Sequence, residues 1–380
     1  MGKKMKVARI ATVPFALLGS KSLLEFLDKE VDLRVVCSNE SFLDDLQEVL
    51  TEKIFIVTIK RDISLVSDLS AVFKLFKYFR KEKLDIVHSN TPKAGIIVAL
   101  AAFLARVPCR CHTFTGQRWD TIKGWKKRLL IFIDKVICIL NTDLYADGPS
   151  QITKYKDLKI SKNLKIIGNG SFGGINLSRF SKNRLLSHSP EWLRGRENYF
   201  KIAFVGRVVK EKGVEDLLDA FSRLSEKYNK LLLVLIGPKE NSLDPIHKRF
   251  KEMIEENHNI IELGFCLNPE NHLAFCDLLC LPSRREGFPS VVLEAASLGL
   301  PAVVSSDPGC LDTIIEGKTG ISFSKGKVEE LIEAVESLCL DKGLCLKMGE
   351  NAKINISKNF ESSFFHELFL DEYKEIFKTQ

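Results

Sequence analysis

The sequence predicts an α/β protein built from two Rossmann-like domains facing a cleft, and three observations predict it. The chain has 380 residues, more than one hydrophobic core ordinarily organises. Short β-like runs alternate with helical stretches in both halves, the pattern of a parallel sheet covered on both faces. A glycine-dense segment, Gly168-Asn-Gly-Ser-Phe-Gly-Gly174, interrupts this pattern, and the chain stays polar to about Asn198 before the pattern restarts.

Taken in order, the runs Lys6–Ala11, Leu33–Cys37, Ile54–Ile59, Ile86–Ser89, Arg110–Thr113, Leu144–Ala146 and Leu164–Ile167 read as strands of the first domain. In the second half, Lys201–Val205, Leu231–Ile236, Ile260–Leu263, Leu278–Leu281 and Ala302–Ser305 read as strands. Val214–Tyr228, Pro245–Glu256 and Ser290–Leu298 read as helices between them. The expected division is residues 1–185 for an N-terminal Rossmann-like domain and 195–357 for a C-terminal one. A last helix, within 358–380, crosses back to the first. In doubly wound sheets ligands bind beyond the carboxyl ends of the strands, so residues just after each strand are the candidates.

Composition excludes several classes. Hydrophobic residues make up 45% and charged residues 28%, a globular balance rather than a disordered one. No run reaches the roughly 18 apolar residues that a spanning helix needs. The ten cysteines are scattered without a C-x-x-C pair, as in reduced, buried thiols of a cytoplasmic protein. Cys276, Cys280 and His272 lie close in sequence but are weak grounds for a metal. The net charge of +7 hides an asymmetry: residues 1–190 carry 32 Lys/Arg against 18 Asp/Glu, the remainder 24 against 31. The basic half favours an anionic partner, whether a membrane surface, a phospholipid-like substrate or nucleic acid.

Two strings carry the chemistry. In Arg285-Glu-Gly-Phe-Pro-Ser-Val-Val-Leu-Glu-Ala-Ala-Ser-Leu-Gly-Leu-Pro301 a strand ends, a glycine loop follows and a helix opens near Ser290. Its first N–H groups, from Ser290 to Val292, suit a phosphate. Glu286 and Glu294, eight residues apart, could accept hydrogen bonds from the two sugars of one nucleotide sugar. Standing alone, such a pair would read as ordinary solvated acids. In Phe204-Val-Gly-Arg-Val-Val-Lys-Glu-Lys-Gly213 a tight turn at Gly206 places Arg207 and Lys212 before a helix, one a bidentate phosphate ligand and the other a point charge.

The first string resembles the E-x7-E motif of glycosyltransferase family 4, and the second resembles that family's G-R…K-G segment. The resemblance covers essentially the whole chain. It implies the GT-B fold, retention of anomeric configuration and a donor held by the C-terminal half. Glu286 would contact the transferred sugar, Glu294 the ribose, and Phe288, Pro289, Ser290, Val291 and Val292 would lie against the diphosphate. Leu263-Gly-Phe265 resembles the base-binding segment. In the N-terminal half, His112-Thr-Phe-Thr-Gly-Gln-Arg-Trp119 resembles the histidine loop of bacterial enzymes that extend lipid-linked saccharides. His112 would touch the reacting sugar or the acceptor. Lys93, Thr115, Gln117 and Arg118 are the acceptor-side candidates, and His88 reads as scaffold. Where family members often carry paired glycines after the first strand, this chain has a single Gly19, which leaves that loop's donor contact open.

These features imply transfer of a hexose or N-acetylhexosamine from a UDP-sugar, a co-substrate, to a polyprenyl-diphosphate-linked saccharide during surface polysaccharide or glycan assembly. No cofactor and no metal are expected, since cations already face the diphosphate, and no nucleic-acid motif is present. Two basic, apolar stretches, Leu69–Lys83 and Trp125–Ile133, fit a peripheral protein on the anionic cytoplasmic face of the inner membrane as well as they fit an ordinary core. A nucleotide-sugar epimerase on the same architecture and a non-catalytic binding protein are the alternatives.

Overall fold

Two parallel sheets organise the computed structural model, which describes residues 4–50, 53–60, 64–171, 173–240 and 244–379. The first unit comprises Met1–Gly174 with Ser362–Gln380, the second Ile175–Glu361. The expected break at 185–195 therefore falls earlier, and there is a physical reason. Ile175, Phe180 and Leu185 are buried in the core of the second unit, and the Ile175 N–H donates to the Phe360 carbonyl at 2.7 Å. The polar stretch after the glycines is thus the edge of the second unit rather than a free linker. Phe172, within the glycine-dense segment, lies outside the described residues.

The first sheet contains β1 (Lys6–Ile10), β2 (Asp32–Cys37), β3 (Ile54–Ile56), β4 (Ile86–Ser89), β5 (Cys109–Phe114), β6 (Asp143–Ala146) and β7 (Leu164–Lys165), in the order β3-β2-β1-β4-β5-β6-β7. Every described pairing in it is parallel. Alternate residues face opposite layers. Val7 and Ile86 join one buried cluster with the helices Lys21–Glu30 and Ser362–Lys378. Ala8, Ile10 and Val87 join another with the helices Leu65–Glu82 and Pro92–Ala105.

The second sheet contains β8 (Phe200–Val205), β9 (Leu231–Ile236), β10 (Ile260–Gly264), β11 (Leu278–Leu281), β12 (Ala302–Ser305) and β13 (Gly320–Phe323), in the order β10-β9-β8-β11-β12-β13. All six residues of β9, Leu-Leu-Leu-Val-Leu-Ile, are buried, as a central strand covered on both faces requires. Strand β13 and the helices Val328–Leu340 and Lys342–Asn359 go beyond the elements read from sequence. The helix expected from Pro245 starts at Lys248.

The C-terminal helix Ser362–Lys378 belongs to the first unit. Its Phe365, Phe369, Leu370, Tyr373 and Ile376 are buried in that unit's core. Tyr373 also closes a polar knot: the buried Arg9 donates to Tyr373 Oη at 3.0 Å, and Tyr373 Oη lies 2.8 Å from His88 Nδ1. The other His88 nitrogen, Nε2, is 2.7 Å from Thr113 Oγ1. Burial and the Arg9 charge hold the His88 ring well below its usual range, so it is neutral. His88 is scaffold, as its sequence context suggests. Phe369 lies beside both Tyr373 and Arg9. Phe369→Ala is expected to destabilise the first unit by about 3–5 kcal/mol, measured by urea unfolding. A loss well under 1 kcal/mol would mean that the helix is not part of this core.

Candidate functional site

In the second unit, the loops that leave β8, β11 and β12 bring the two motif strings together. Gly213 has φ 69, and a Cβ there would sit 2.0 Å from the Pro282 carbonyl oxygen. Only glycine permits both the left-handed backbone and this contact. The helix Val214–Lys227 therefore starts against the segment leaving β11. Lys212 consequently meets Glu286, Nζ to Oε1, at 2.5 Å. Ser283 Oγ donates to the same carboxylate oxygen at 2.6 Å.

Glu286 is held from behind as well. Its backbone N–H donates to Asp307 Oδ2 at 3.0 Å, and the Gly309 N–H donates to the same atom at 3.2 Å. Lys325 Nζ pairs with Asp307 Oδ1 at 2.7 Å. The Asp307 side chain is buried and accepts from three donors, which compensates its desolvation. Arg207 pairs with Glu240 at 3.0 Å and approaches Glu211 at 3.8 Å, while Arg285 pairs with Glu211 at 2.8 Å. Burial opposes ionisation of Glu211, but the Arg285 hydrogen bond and the charges of Arg285, Lys212 and Arg207 outweigh it and hold the carboxyl below its usual range.

The helix Ser290–Ser297 follows, with Pro289 at its N-cap. Val292 N–H donates to the Pro289 carbonyl at 3.1 Å. Among the described residues, Ser290 and Val291 N–H find no backbone carbonyl, so two donors rather than the three expected lack a backbone partner. Phe288 and Val292 place their side chains in the core, with Phe288 against Phe360. Only their backbone is available to a ligand. Glu294 is half-buried one turn into the helix. Burial raises its carboxyl to about 7, against the opposing Arg179 charge and a Ser290 hydrogen bond. Arg179 is itself held by both Glu270 oxygens, at 2.8 and 3.0 Å. Phe265 is exposed just past β10.

In the first unit, parallel register pairs Ser89 of β4 with His112 of β5, and Ser89 Oγ lies 2.8 Å from His112 Nδ1. Gly95, in the helix Pro92–Ala105, leaves space for the imidazole, since a Cβ there would fall 2.6 Å from His112 Cε1. The ring also meets Phe114 edge-on at 4.5 Å. Burial lowers the His112 pKa to about 3, so it is a neutral hydrogen-bonding group at physiological pH. Thr115 Oγ1 donates to the Asn90 carbonyl at 3.1 Å. Gln117 is buried, its amide nitrogen 3.5 Å from Gln151 Oε1. Arg118 is exposed, and Lys93 pairs with Asp68 at 2.8 Å. Gln117 is therefore tied to Gln151 inside the first unit, whereas Arg118 is exposed to solvent.

Ser89, Ser283, Asp307 and Lys325 were not singled out from sequence. Asp307-Pro308, an acidic cap followed by proline, is a helix-start signal that could have drawn attention to Asp307. The register that joins Ser89 to His112 has no local signal. The trio of Cys276, Cys280 and His272 is accounted for by packing: both thiols are buried, and His272 Nδ1 accepts from Trp192 Nε1 at 3.1 Å.

Comparison with known proteins adds an independent line. Residues 191–355 match the family model described as glycosyl transferases group 1, and residues 28–138 match a glycosyl transferase 4-like domain. The chain is 31% identical to the capsular polysaccharide biosynthesis glycosyltransferase CapM of Staphylococcus aureus, over 99% of this chain and 98% of that protein. It is 28% identical to the UDP-Gal:alpha-D-GlcNAc-diphosphoundecaprenol alpha-1,3-galactosyltransferase of Escherichia coli, over 94% of this chain and 93% of that one. Among solved structures, Anabaena HepE in complex with UDP and glucose superposes with a TM-score of 0.79 at 19% identity, covering 97% of this chain and 99% of that one.

The raised Glu294 carboxyl gives a pH dependence with a defined sign. The native protein keeps this proton up to about 7, whereas an ordinary carboxyl loses it near 4.5. Between these values the native state binds more protons than the unfolded chain, so this group's contribution falls as pH rises. Glu294→Gln is expected to flatten the decline in Tm between about pH 5 and 7.5, read by scanning calorimetry. An unaltered decline would remove Glu294 as its source.

Proposed function

We propose, since the chain belongs to the glycosyl transferases group 1 family and is a glycosyltransferase of GT-B fold, that it moves a hexose or N-acetylhexosamine from a UDP-sugar to a polyprenyl-diphosphate-linked saccharide. The transfer retains anomeric configuration and serves surface polysaccharide or glycan assembly at the cytoplasmic membrane face. The observation that carries this reading is the contact of Lys212 with Glu286 beside Arg207 and the opening of the helix Ser290–Ser297. The donor type and the lipid-diphosphate acceptor are supported by the activity named for the Escherichia coli relative.

The ion pairs of the second unit give the reading a mechanism. A diphosphate brings two acidic groups to cations that already hold carboxylates, so it displaces Glu240 from Arg207 and Glu286 from Lys212. Lys212 neutralises the leaving group, and Arg207 chelates it. Glu286, still anchored through its backbone to Asp307, then turns its freed oxygen to the hydroxyls of the transferred sugar. The Ser290 and Val291 N–H groups face the phosphate oxygens, and Glu294 accepts from the ribose while Phe265 flanks the base. As the sugar–phosphate bond breaks, negative charge grows where these donors are fixed, and the acceptor hydroxyl attacks from the same face, its proton passing to the departing phosphate oxygen. Neutral His112, oriented by Ser89, hydrogen-bonds the sugar or acceptor through its other ring nitrogen. Thr115 and Arg118 contact the acceptor, Gln117 shapes its wall, and Lys93 takes an acceptor phosphate by leaving Asp68. No metal or cofactor is required by this scheme.

Incubation with UDP- and GDP-sugars and lipid-diphosphate saccharides, read by mass spectrometry, identifies donor and product. Glu286→Ala is expected to abolish transfer while the protein stays folded. Lys212→Ala is expected to weaken UDP binding by about 10- to 100-fold in calorimetry, the value of one charge-assisted contact. Near-normal turnover of the first variant, or unchanged affinity of the second, would overturn these roles.

A further inference from the structure

Three neighbouring helices cover one face of the first sheet. Leu65–Glu82 packs on Pro92–Ala105, which packs in turn on Gly124–Leu140. Each is apolar on two sides. On the first, Ala71, Leu75 and Phe79 are buried toward the sheet, while Val66, Leu69 and Phe73 form a second stripe facing solvent, Val66 at 83% exposure. On the last, Ile137 is buried, yet Trp125 at 69%, Phe132 and Ile139 at 78% face outward. Between them, Phe103 and Leu104 are also exposed. The periodicity seen in sequence therefore merges two stripes, of which only one is core. An apolar surface spread over three packed helices calls for a partner.

The charge of this face identifies the partner. The three helices carry nine Lys/Arg and three Asp/Glu. All three carboxylates are engaged: Asp68 holds Lys93, Glu82 lies 3.6 Å from Arg34, and Asp134 accepts inside the core from Trp119 and Tyr155. Lys74, Lys77, Arg80, Lys126 and Arg128 remain exposed among the apolar side chains, with the Lys77 ammonium 4.3 Å above the Phe73 ring. A second copy docked on this face would set cations against cations. A nucleic acid would leave the apolar stripes in water. A bilayer of anionic lipid meets both demands, taking the apolar side chains at the acyl boundary and the cations among its headgroups. Among the described residues no helix is long and apolar enough to cross a membrane, so the helices would lie along the surface.

We propose that this three-helix face seats the protein on an anionic membrane surface, with Val66, Phe132, Ile139 and Trp125 inserted among the lipids. This deepens the reading of a lipid-linked acceptor by naming the surface that meets the membrane. The test is sedimentation of the full chain with phosphatidylcholine vesicles, with and without about 30 mol% phosphatidylglycerol, alongside UDP calorimetry. The wild type is expected to bind the anionic vesicles at least about tenfold better than the neutral ones and to release at high salt. The double variant Val66→Asp, Phe132→Asp is expected to lose about tenfold or more, with circular dichroism and UDP affinity unchanged. Leu346→Asp, an exposed position of the second unit, is expected to bind like the wild type. Tryptophan emission should shift to the blue on vesicles, and Trp125→Phe should remove that shift.

Undiminished vesicle binding by the double variant would overturn the proposal. So would a concentration-dependent dimer, or DNA binding without vesicle binding, that the same substitutions abolish. Vesicle binding by a protein that takes no UDP would keep the face and remove the transfer reading. UDP binding and transfer without vesicle partition would do the reverse.

Discussion

The second unit is organised around one buried carboxylate. Asp307, at the start of a short helix after β12, gathers the Glu286 and Gly309 N–H groups and the Lys325 ammonium. A loop that leaves a strand end has few internal bonds of its own, and without such an anchor it would sample many conformations. By fixing the backbone of Glu286, Asp307 fixes where Lys212 and Ser283 find their partner. The close approach at Gly213 brings the other side of the contact to the same place. Geometry from three strand ends thus converges on one carboxylate oxygen.

The two units handle charge in opposite ways. The second sets the cations of its motif strings against carboxylates, Arg207 with Glu240, Lys212 with Glu286 and Arg285 with Glu211, which offsets the cost of burying either partner. The first removes charge from its interior histidines, because burial makes both His88 and His112 neutral. His112 can then act through hydrogen bonds alone over the physiological range. Such a group is insensitive to modest changes in pH, whereas Glu294, raised to about 7, is poised to respond to them.

Much of the architecture is legible in the sequence because parallel strands buried on both faces need continuous apolar runs, and β9 is such a run. The helix Ser290–Ser297 is equally legible from its glycine loop and proline. What escapes is whatever depends on pairing between distant residues. Ser89 stands beside His88, yet strand alternation sends its hydroxyl to His112, which no local pattern reveals. Asp307 lies 21 positions beyond Glu286. Strand β13, Gly-Ile-Ser-Phe, is as long as β11 and β12 but lacks their continuous apolar run and so does not stand out. The Leu65–Glu82 helix misleads in a different way: its apolar residues share a helical period, and only the packed structure separates those that face the sheet from those that face outward. The unit boundary shifts for a related reason, since Ile175, Phe180 and Leu185 are too widely spaced to announce a core.

The helix Ser362–Lys378 has a consequence for biogenesis. Residues up to Gly174 leave the ribosome before the second unit, but the seats for Phe365, Phe369 and Tyr373 in their core stay empty until Ser362–Lys378 follows it. The first unit is therefore completed only after the second has been made. During synthesis it presents an open apolar seam for as long as the whole of the second unit takes to emerge, a natural point of engagement for chaperones.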